Sequence, residues 1–303
     1  MKEPVGVIGL GHMGLGMAKN LLKAGFPVVG FDIRPEALKQ LQKSGGHLVK
    51  TPLEVAKRAR ISILVVLNFD QIEDAVLGKT GMKDGMQAGD VLIVSSTIAP
   101  SQIRTLGQKL EAIGVQVLDA PISGGKEGAE AGTLSIMVGG QKENYERCLP
   151  ILQAMGKNIY YLGGLGNGLS LKLVNNLLVA VNNLAVAEAV SLGTKAGLDP
   201  KLILEVIPKS AGDSWMFRNR AYRMVDRDFA CRGELDILVK DLGFVLEMAK
   251  SIKLPLVLSS LAREIYQMAS NLGYGKEDDS AVVKAVETMA GIEKSNDRHP
   301  DFK

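Results

Sequence analysis

The chain reads as an α/β protein: a doubly wound parallel sheet in its first half, then an all-helical domain reached through one long helix. Three observations predict this. Short apolar runs alternate with helix-length segments as far as Tyr161, the rhythm of βαβ units. The glycines Gly163, Gly164, Gly166 and Gly168 then interrupt the pattern. Beyond them only helical periodicity continues, and a length of 303 residues suits two domains.

The expected strands are Pro4–Gly9, Val28–Phe31, Ile61–Leu67, Val91–Ser95, Val115–Asp119 and Leu134–Val138. Between them lie helical segments at Met13–Ala24, Pro35–Lys43, Pro52–Arg60, Asp70–Leu77, Pro100–Ala112 and Asn144–Met155. Pro35, Pro52 and Pro100 stand where helices begin, which suits proline's fixed φ and missing N–H. A long helix, Leu169–Ala196, ends at Gly197 and at 1.5 Å per residue runs about 40 Å. Further helices are expected at Pro200–Ile207, Phe217–Val225, Leu235–Ser251, Pro255–Leu272 and Ser280–Met289, and the polar tail Glu293–Lys303 is expected to fray. The division is therefore residues 1–163 as the sheet domain, 164–196 as an interdomain helix and 197–303 as the helical domain.

Composition excludes several classes. An apolar fraction of 46% and a charged fraction of 23% are those of an ordinary globular protein. A net charge of +3 does not argue for nucleic acid. The opening Met-Lys-Glu-Pro runs directly into an apolar strand, unlike a signal peptide. The apolar stretch Leu169–Gly197 carries Lys172, Asn175, Asn176, Asn182, Asn183, Glu188 and Lys195, which argues against a membrane span. Cys148 and Cys231 cannot make a disulfide framework, and a reducing cytoplasm is expected. With His12, His47 and His299 scattered, neither a zinc cluster nor a histidine triad has its spacing, so no metal is expected.

One motif carries chemistry. Val5-Gly6-Val7-Ile8 runs into Gly9-Leu10-Gly11-His12-Met13-Gly14, a G-x-G-x-x-G loop between a strand and a helix. Gly9 permits the tight turn, Gly11 lets a pyrophosphate approach the backbone, and Gly14 lets helix and strand pack closely. The helix N-terminus supplies N–H donors for phosphate. About twenty residues on, Val28–Phe31 ends in Asp32, placed to accept hydrogen bonds from an adenosine ribose. This is the Rossmann-type arrangement. Asp32 favours NAD; Arg34, two residues later, keeps NADP open.

The long helix holds a second signal. Lys172, Asn176 and Asn183 fall on one face of an otherwise Leu/Val/Ala-rich segment. Asparagine is a poor interior helix residue, so its repetition means amides held for hydrogen bonding, either to a ligand or between helices. Lys172 is the candidate proton carrier: a partly buried amine beside a cationic nicotinamide has a lowered pKa and can take a hydroxyl proton. A Tyr-x-x-x-Lys dehydrogenase is excluded, since none of the six tyrosines has lysine four places on.

The chain also resembles the β-hydroxyacid dehydrogenase family, which includes 3-hydroxyisobutyrate dehydrogenase. The resemblance rests on the glycine loop with Met17-Ala18-Lys19-Asn20-Leu21 and on Asp119-Ala120-Pro121-Ile122-Ser123-Gly124-Gly125 followed by Gly132-Thr133-Leu134 and Met137-Val138-Gly139-Gly140. It continues through Gly166-Asn167-Gly168, Lys172 and Asn175-Asn176 to Lys240-Asp241-Leu242. It implies Lys172 as general acid/base, Ser123, Gly124 and Gly125 as the substrate-carboxylate site, and Asn176 as the amide orienting substrate. It implies cofactor contacts at Leu67 and Thr97, and Lys240 closing over the nicotinamide end. Val66-Leu67-Asn68 replaces the family's Met-Leu-Pro turn, leaving the path near the adenosine open.

Within the family, Ser214-Trp215-Met216-Phe217 and Gly273-Tyr274-Gly275-Lys276-Glu277-Asp278-Asp279-Ser280-Ala281 are similar to the subgroup acting on four-carbon sugar acids such as L-threonate, oxidised at C2. Trp215 is read as a substrate-binding lid or as a core aromatic; Asp278 and Asp279 as residues at a partner's cleft or as helix caps. The implied partner is a small hydroxy acid, with a homodimer or homotetramer expected. A semialdehyde reductase using NADPH, a 3-hydroxyisobutyrate dehydrogenase, a non-catalytic dinucleotide module and a structural helical dimer stay as alternatives.

Overall fold

The computed structural model describes residues 2–292; the tail read as frayed lies outside the described residues. The chain forms two compact units, Met1–Lys172 and a second from Leu173 onward.

In the first unit the elements run β1 (Val5–Ile8), α1 (His12–Lys23), β2 (Val28–Phe31), α2 (Pro35–Lys43), β3 (His47–Leu48), α3 (Pro52–Ala56) and β4 (Ile61–Leu64). Then follow α4 (Phe69–Leu77), β5 (Val91–Val94), α5 (Pro100–Glu111), β6 (Gln116–Asp119), β7 (Ile122–Ser123), α6 (Gly125–Ala131), β8 (Leu134–Val138), α7 (Lys142–Met155) and β9 (Gly156–Tyr161). Six strands form a parallel sheet in the order β3-β2-β1-β4-β5-β6, the doubly wound arrangement the alternation predicts. Both faces are covered, which is why the strands read as continuous apolar runs. Val5, Val7, Ile61, Ile63, Val91 and Ile93 serve one core; Ile8, Leu64, Leu92 and Val94, alternating with them, serve the other. The chain reverses direction across the sheet between β1 and β4, and a crevice at such a point is where nucleotides bind.

Three strands were not expected. β3 has two residues, too few for a pattern. β7, β8 and β9 form a separate small sheet, β7 antiparallel and β9 parallel to β8. β9 follows α7 directly, with no turn residue between them to announce a strand.

α8 (Asn167–Lys195) is the long helix, starting two residues earlier than expected. By length and composition alone it could cross a membrane, yet 44% of its most apolar window is buried inside the molecule. Leu169 belongs to a core of the first unit; Ala180, Leu184, Ala187 and Val190 belong to the core of the second. There α9 (Pro200–Val206), α10 (Trp215–Asp226), α11 (Leu235–Ser251), α12 (Val257–Ala269) and α13 (Val282–Met289) complete an all-helical body. Leu238 and Leu242, Ala262, Tyr266 and Ala269, and Val282 and Val286 recur at helical spacing into one core. The segment expected to be helical up to Leu272 leaves α-geometry at Ser270, and Gly273 there takes a φ of +93°.

Candidate active site

The glycine loop meets the demands of a dinucleotide. Gly9 has a φ of +89°, and a Cβ there would lie 2.0 Å from the Val65 carbonyl oxygen. A Cβ on Gly14 would lie 1.9 Å from the Gly9 carbonyl oxygen. At Gly11 a Cβ would have the Arg34 guanidinium, 3.6 Å away, as its nearest neighbour. Two glycines therefore close the turn while the third leaves space on its outer side. Gly11 caps α1 without a side chain, and the first turn, opened by the exposed His12 and half-buried Met13, carries no acid. Its N–H groups favour an anion.

Asp32 directly follows β2 and is buried. Its Oδ2 accepts from the Leu10 N–H at 2.7 Å, which ties the acid to the loop. Arg34 lies on the same carboxylate through its backbone N–H at 2.8 Å, Nε at 3.0 Å and Nη2 at 2.9 Å. Burial works to raise the carboxyl's pKa; these bonds outweigh it and hold Asp32 below its ordinary value.

Opposite β1, Leu67 is exposed after β4. Asn68 caps α4 by accepting from the Gln71 N–H at 2.9 Å, and Gln71 Oε1 accepts from the Leu67 N–H at 2.9 Å. Asn68 thus starts the helix with its side chain where the family has proline. The Val66 N–H donates to Ser96 Oγ at 2.8 Å, joining this loop to the one holding half-buried Thr97.

Ser123 ends β7, and Gly124 and Gly125 follow with φ of +133° and +64°. Side chains resist these conformations. Gly125 has no heavy atom within 4 Å of a Cβ position, so its backbone is open to a ligand. Lys172, half-buried, is the sixth residue of α8.

Asp119, quoted in a motif but given no role from sequence, is fully buried where β6 ends. Oδ1 accepts from the Gly166 N–H and Oδ2 from the Leu169 N–H, both at 2.7 Å. Burial pushes its pKa up, opposed by those two bonds.

In the second unit Asn176 is buried and its Nδ2 donates to Asp241 Oδ2 at 2.6 Å, while its Oδ1 accepts from Asn175 at 3.0 Å. Lys240 Nζ lies 3.1 Å from Asp241 Oδ1. Asp241 therefore joins two of the expected site residues, a link sequence reading did not make. Asn183 serves packing: its Nδ2 donates to Tyr266 Oη and to the Asp279 carbonyl, each at 2.9 Å.

Trp215 is 65% exposed at the start of α10, which overturns the core reading. The Arg220 guanidinium lies 5.7 Å from its ring and also pairs with buried Asp279. Asp278 Oδ1 accepts from the Ser280 backbone N–H at 3.2 Å, capping the turn that leads into α13, and also from Ser280 Oγ at 2.6 Å, while Oδ2 accepts from Arg223 Nη1 at 3.0 Å; the cap reading of this acid holds.

Residues 4–163 match the NAD binding domain of 6-phosphogluconate dehydrogenase, and residues 166–286 match the NAD-binding domain of NADP-dependent 3-hydroxyisobutyrate dehydrogenase. The chain is 41% identical to an L-threonate dehydrogenase of Cupriavidus necator, over 94% of this chain and 96% of that one. It is 38% identical to mitochondrial 3-hydroxyisobutyrate dehydrogenase of Homo sapiens, over 93% and 86%. A crystal structure of 3-hydroxyisobutyrate dehydrogenase from Salmonella typhimurium superimposes with a TM-score of 0.86 at 37% identity, covering 93% of this chain and 99% of that one.

Proposed function

The chain belongs to the β-hydroxyacid dehydrogenase family, NAD(P)-dependent oxidoreductases acting on CH–OH groups, and from that premise we propose that it oxidises the C2 hydroxyl of a four-carbon sugar acid such as L-threonate to 2-oxo-tetronate. Relatedness carries the choice of substrate. Relatives named L-threonate dehydrogenase from Cupriavidus necator, Haemophilus influenzae and Pectobacterium atrosepticum are 41%, 39% and 38% identical over at least 92% of this chain.

In this reading Gly9, Leu10, Gly11, His12, Met13 and Gly14 hold the pyrophosphate, Asp32 the adenosine ribose, and Leu67, Thr97 and Lys240 the rest of the cofactor. The bound nicotinamide supplies the hydride acceptor. Ser123 and the N–H groups of Gly124 and Gly125 receive the substrate carboxylate. Asn176, its amide fixed by Asp241, and Trp215 orient the carbon chain. Lys172 Nζ takes the hydroxyl proton as the carbinol carbon gives up hydride and a carbonyl forms. In reverse its ammonium returns the proton to the oxygen.

A second reading, an NADPH-dependent semialdehyde reductase or a 3-hydroxyisobutyrate dehydrogenase, draws on the human relative and on Arg34, whose guanidinium beside Asp32 is a cation able to receive a 2′-phosphate. Rates with L-threonate, 3-hydroxyisobutyrate and tartronate semialdehyde, each with both nucleotides, separate the two. L-threonate with NAD is expected to have the highest kcat/KM; a higher value for 3-hydroxyisobutyrate or the semialdehyde removes the first reading.

The helical unit leaves Leu178 and Leu192 of α8 and Val257, Leu258 and Leu261 of α12 exposed, Val257 by 78%. This much apolar surface supports a homodimer or homotetramer. Two unpaired cysteines, Cys148 and Cys231, fit a reducing cytoplasm.

A further inference from the structure

We infer that Asp119 is a positioning residue for the dehydrogenase reaction, because its buried carboxylate clamps the N-terminus of the helix that carries Lys172 while its main chain leads into the loop proposed to hold the substrate carboxylate. The inference rests on the roles proposed for Lys172 and Ser123–Gly125.

The first N–H groups of an α-helix have no partner within the helix. α8 begins after Gly166, whose φ of +91° suits glycine and which brings no capping side chain. The cap arrives from 47 and 50 residues away: Asp119 takes the Gly166 and Leu169 N–H groups on its two oxygens. A carboxylate at this end also meets the positive pole of the helix. Leu169 precedes Lys172 by three residues, about 4.5 Å of helix rise, so the clamp fixes the turn from which the lysine projects.

The space around the clamp is built for it. A Cβ on Gly139 would lie 2.4 Å from Asp119 Oδ1, and a Cβ on Gly168 would lie 2.9 Å from Oδ2 and 2.2 Å from the Met137 carbonyl oxygen. The main chain of Asp119 is held just as closely: its N–H donates to the Gly139 carbonyl at 3.0 Å, and its carbonyl accepts from the Gly139 N–H at 2.8 Å. Arg104 secures the outer side of the turn, Nε donating to the Leu165 carbonyl at 3.1 Å. From Asp119 the chain passes through Ala120 and Pro121 into β7 and reaches Ser123 four residues later. One buried acid thus sets both the origin of the proposed base and the start of the proposed carboxylate loop.

Asp119→Asn tests this, since the amide keeps the shape and one acceptor but turns an N–H against an N–H. Turnover of L-threonate is expected to fall by on the order of 100-fold, as for an ångström-scale misplacement, with KM for the acid raised and the NAD dissociation constant within about twofold. A mere loss of folded enzyme would lower apparent kcat and leave both KM values in place. Turnover within about threefold of the parent, or a lost affinity for NAD, overturns the inference. Amide hydrogen exchange on the unsubstituted protein decides independently, whether or not the variant folds: the Gly166 and Leu169 amides are expected to be protected, and rapid exchange at either overturns the clamp. Lys172→Ala, assayed alongside, separates the failures. An active Lys172→Ala enzyme removes the role of the lysine, whereas an inactive one beside a normal Asp119→Asn enzyme removes only the role of Asp119.

Discussion

Asp32 shows how a single side chain can carry two opposed signals. As an ionised acid at the end of β2 it favours a ribose diol and repels a 2′-phosphate, but the Arg34 guanidinium lies across the same carboxylate. Removing the acid releases the cation. Asp32→Ala is therefore expected to lower kcat/KM for NAD by about 10- to 100-fold, the scale of one hydrogen bond to a charged group, and to shift the NAD/NADP ratio toward NADP. Arg34→Ala is expected to weaken NADP more than NAD. An unchanged ratio in both variants, measured from initial rates with each nucleotide, would place recognition of the ribose elsewhere. Gly9, Gly11, Gly14 and Asp32 were legible in sequence because each answers a backbone or charge requirement at a fixed spacing. Asp119 and Asp241 were not, since the N–H groups that Asp119 holds lie 47 and 50 residues away in sequence and the Asn176 amide that Asp241 holds lies 65 residues away.

At the scale of the element, α8 carries side chains with different tasks. Asn176 and Asn183 look alike in sequence, two amides in an apolar helix. The first is bonded to Asp241 and through it associated with Lys240; the second bridges Tyr266 and the chain at Asp279. Asn183→Leu would leave buried groups unpaired and is expected to cost about 1–3 kcal/mol of stability, with kcat within about twofold. Asn176→Leu is expected to raise the substrate KM and lower kcat together. Denaturant melts and steady-state kinetics on both variants check the contrast; a large kcat loss in Asn183→Leu would return it to the site. Periodicity showed that these residues share a face, but the partners that assign their work come from α11, α12 and the turn before α13, beyond any local pattern. Likewise the main parallel sheet was legible from apolar runs, whereas β3, β7 and β9 are too short or too abruptly joined to leave one.

For the molecule as a whole, the helical unit is pinned by buried ion pairs, Arg223 with Asp278, Arg220 with Asp279 and Arg227 with Glu287. Burial works to raise the pKa of Asp278, but the Ser280 hydroxyl and the arginine charges hold it below its ordinary value. A lowered carboxyl pKa contributes stability above the unfolded-state value, near 4, that is lost as pH falls through the folded-state value. The Tm gap between the parent and Asp278→Asn should accordingly be full at neutral pH and close below about pH 4. A gap independent of pH would contradict an ionised Asp278. The exposed apolar positions on α12 give a second test: Val257→Asp with Leu261→Asp is expected to shift a dimer or tetramer toward monomer in light scattering, and an unchanged mass would place the interface elsewhere.

The family resemblance, the doubly wound sheet and the candidate lysine converge on one chemical claim, that Lys172 moves the proton while hydride leaves the hydroxy acid. The most direct measurement is the turnover of Lys172→Ala with L-threonate beside its NAD dissociation constant. A loss of about 10²- to 10⁴-fold in kcat with nucleotide binding intact is the predicted result. Turnover within about tenfold of the parent enzyme would contradict it.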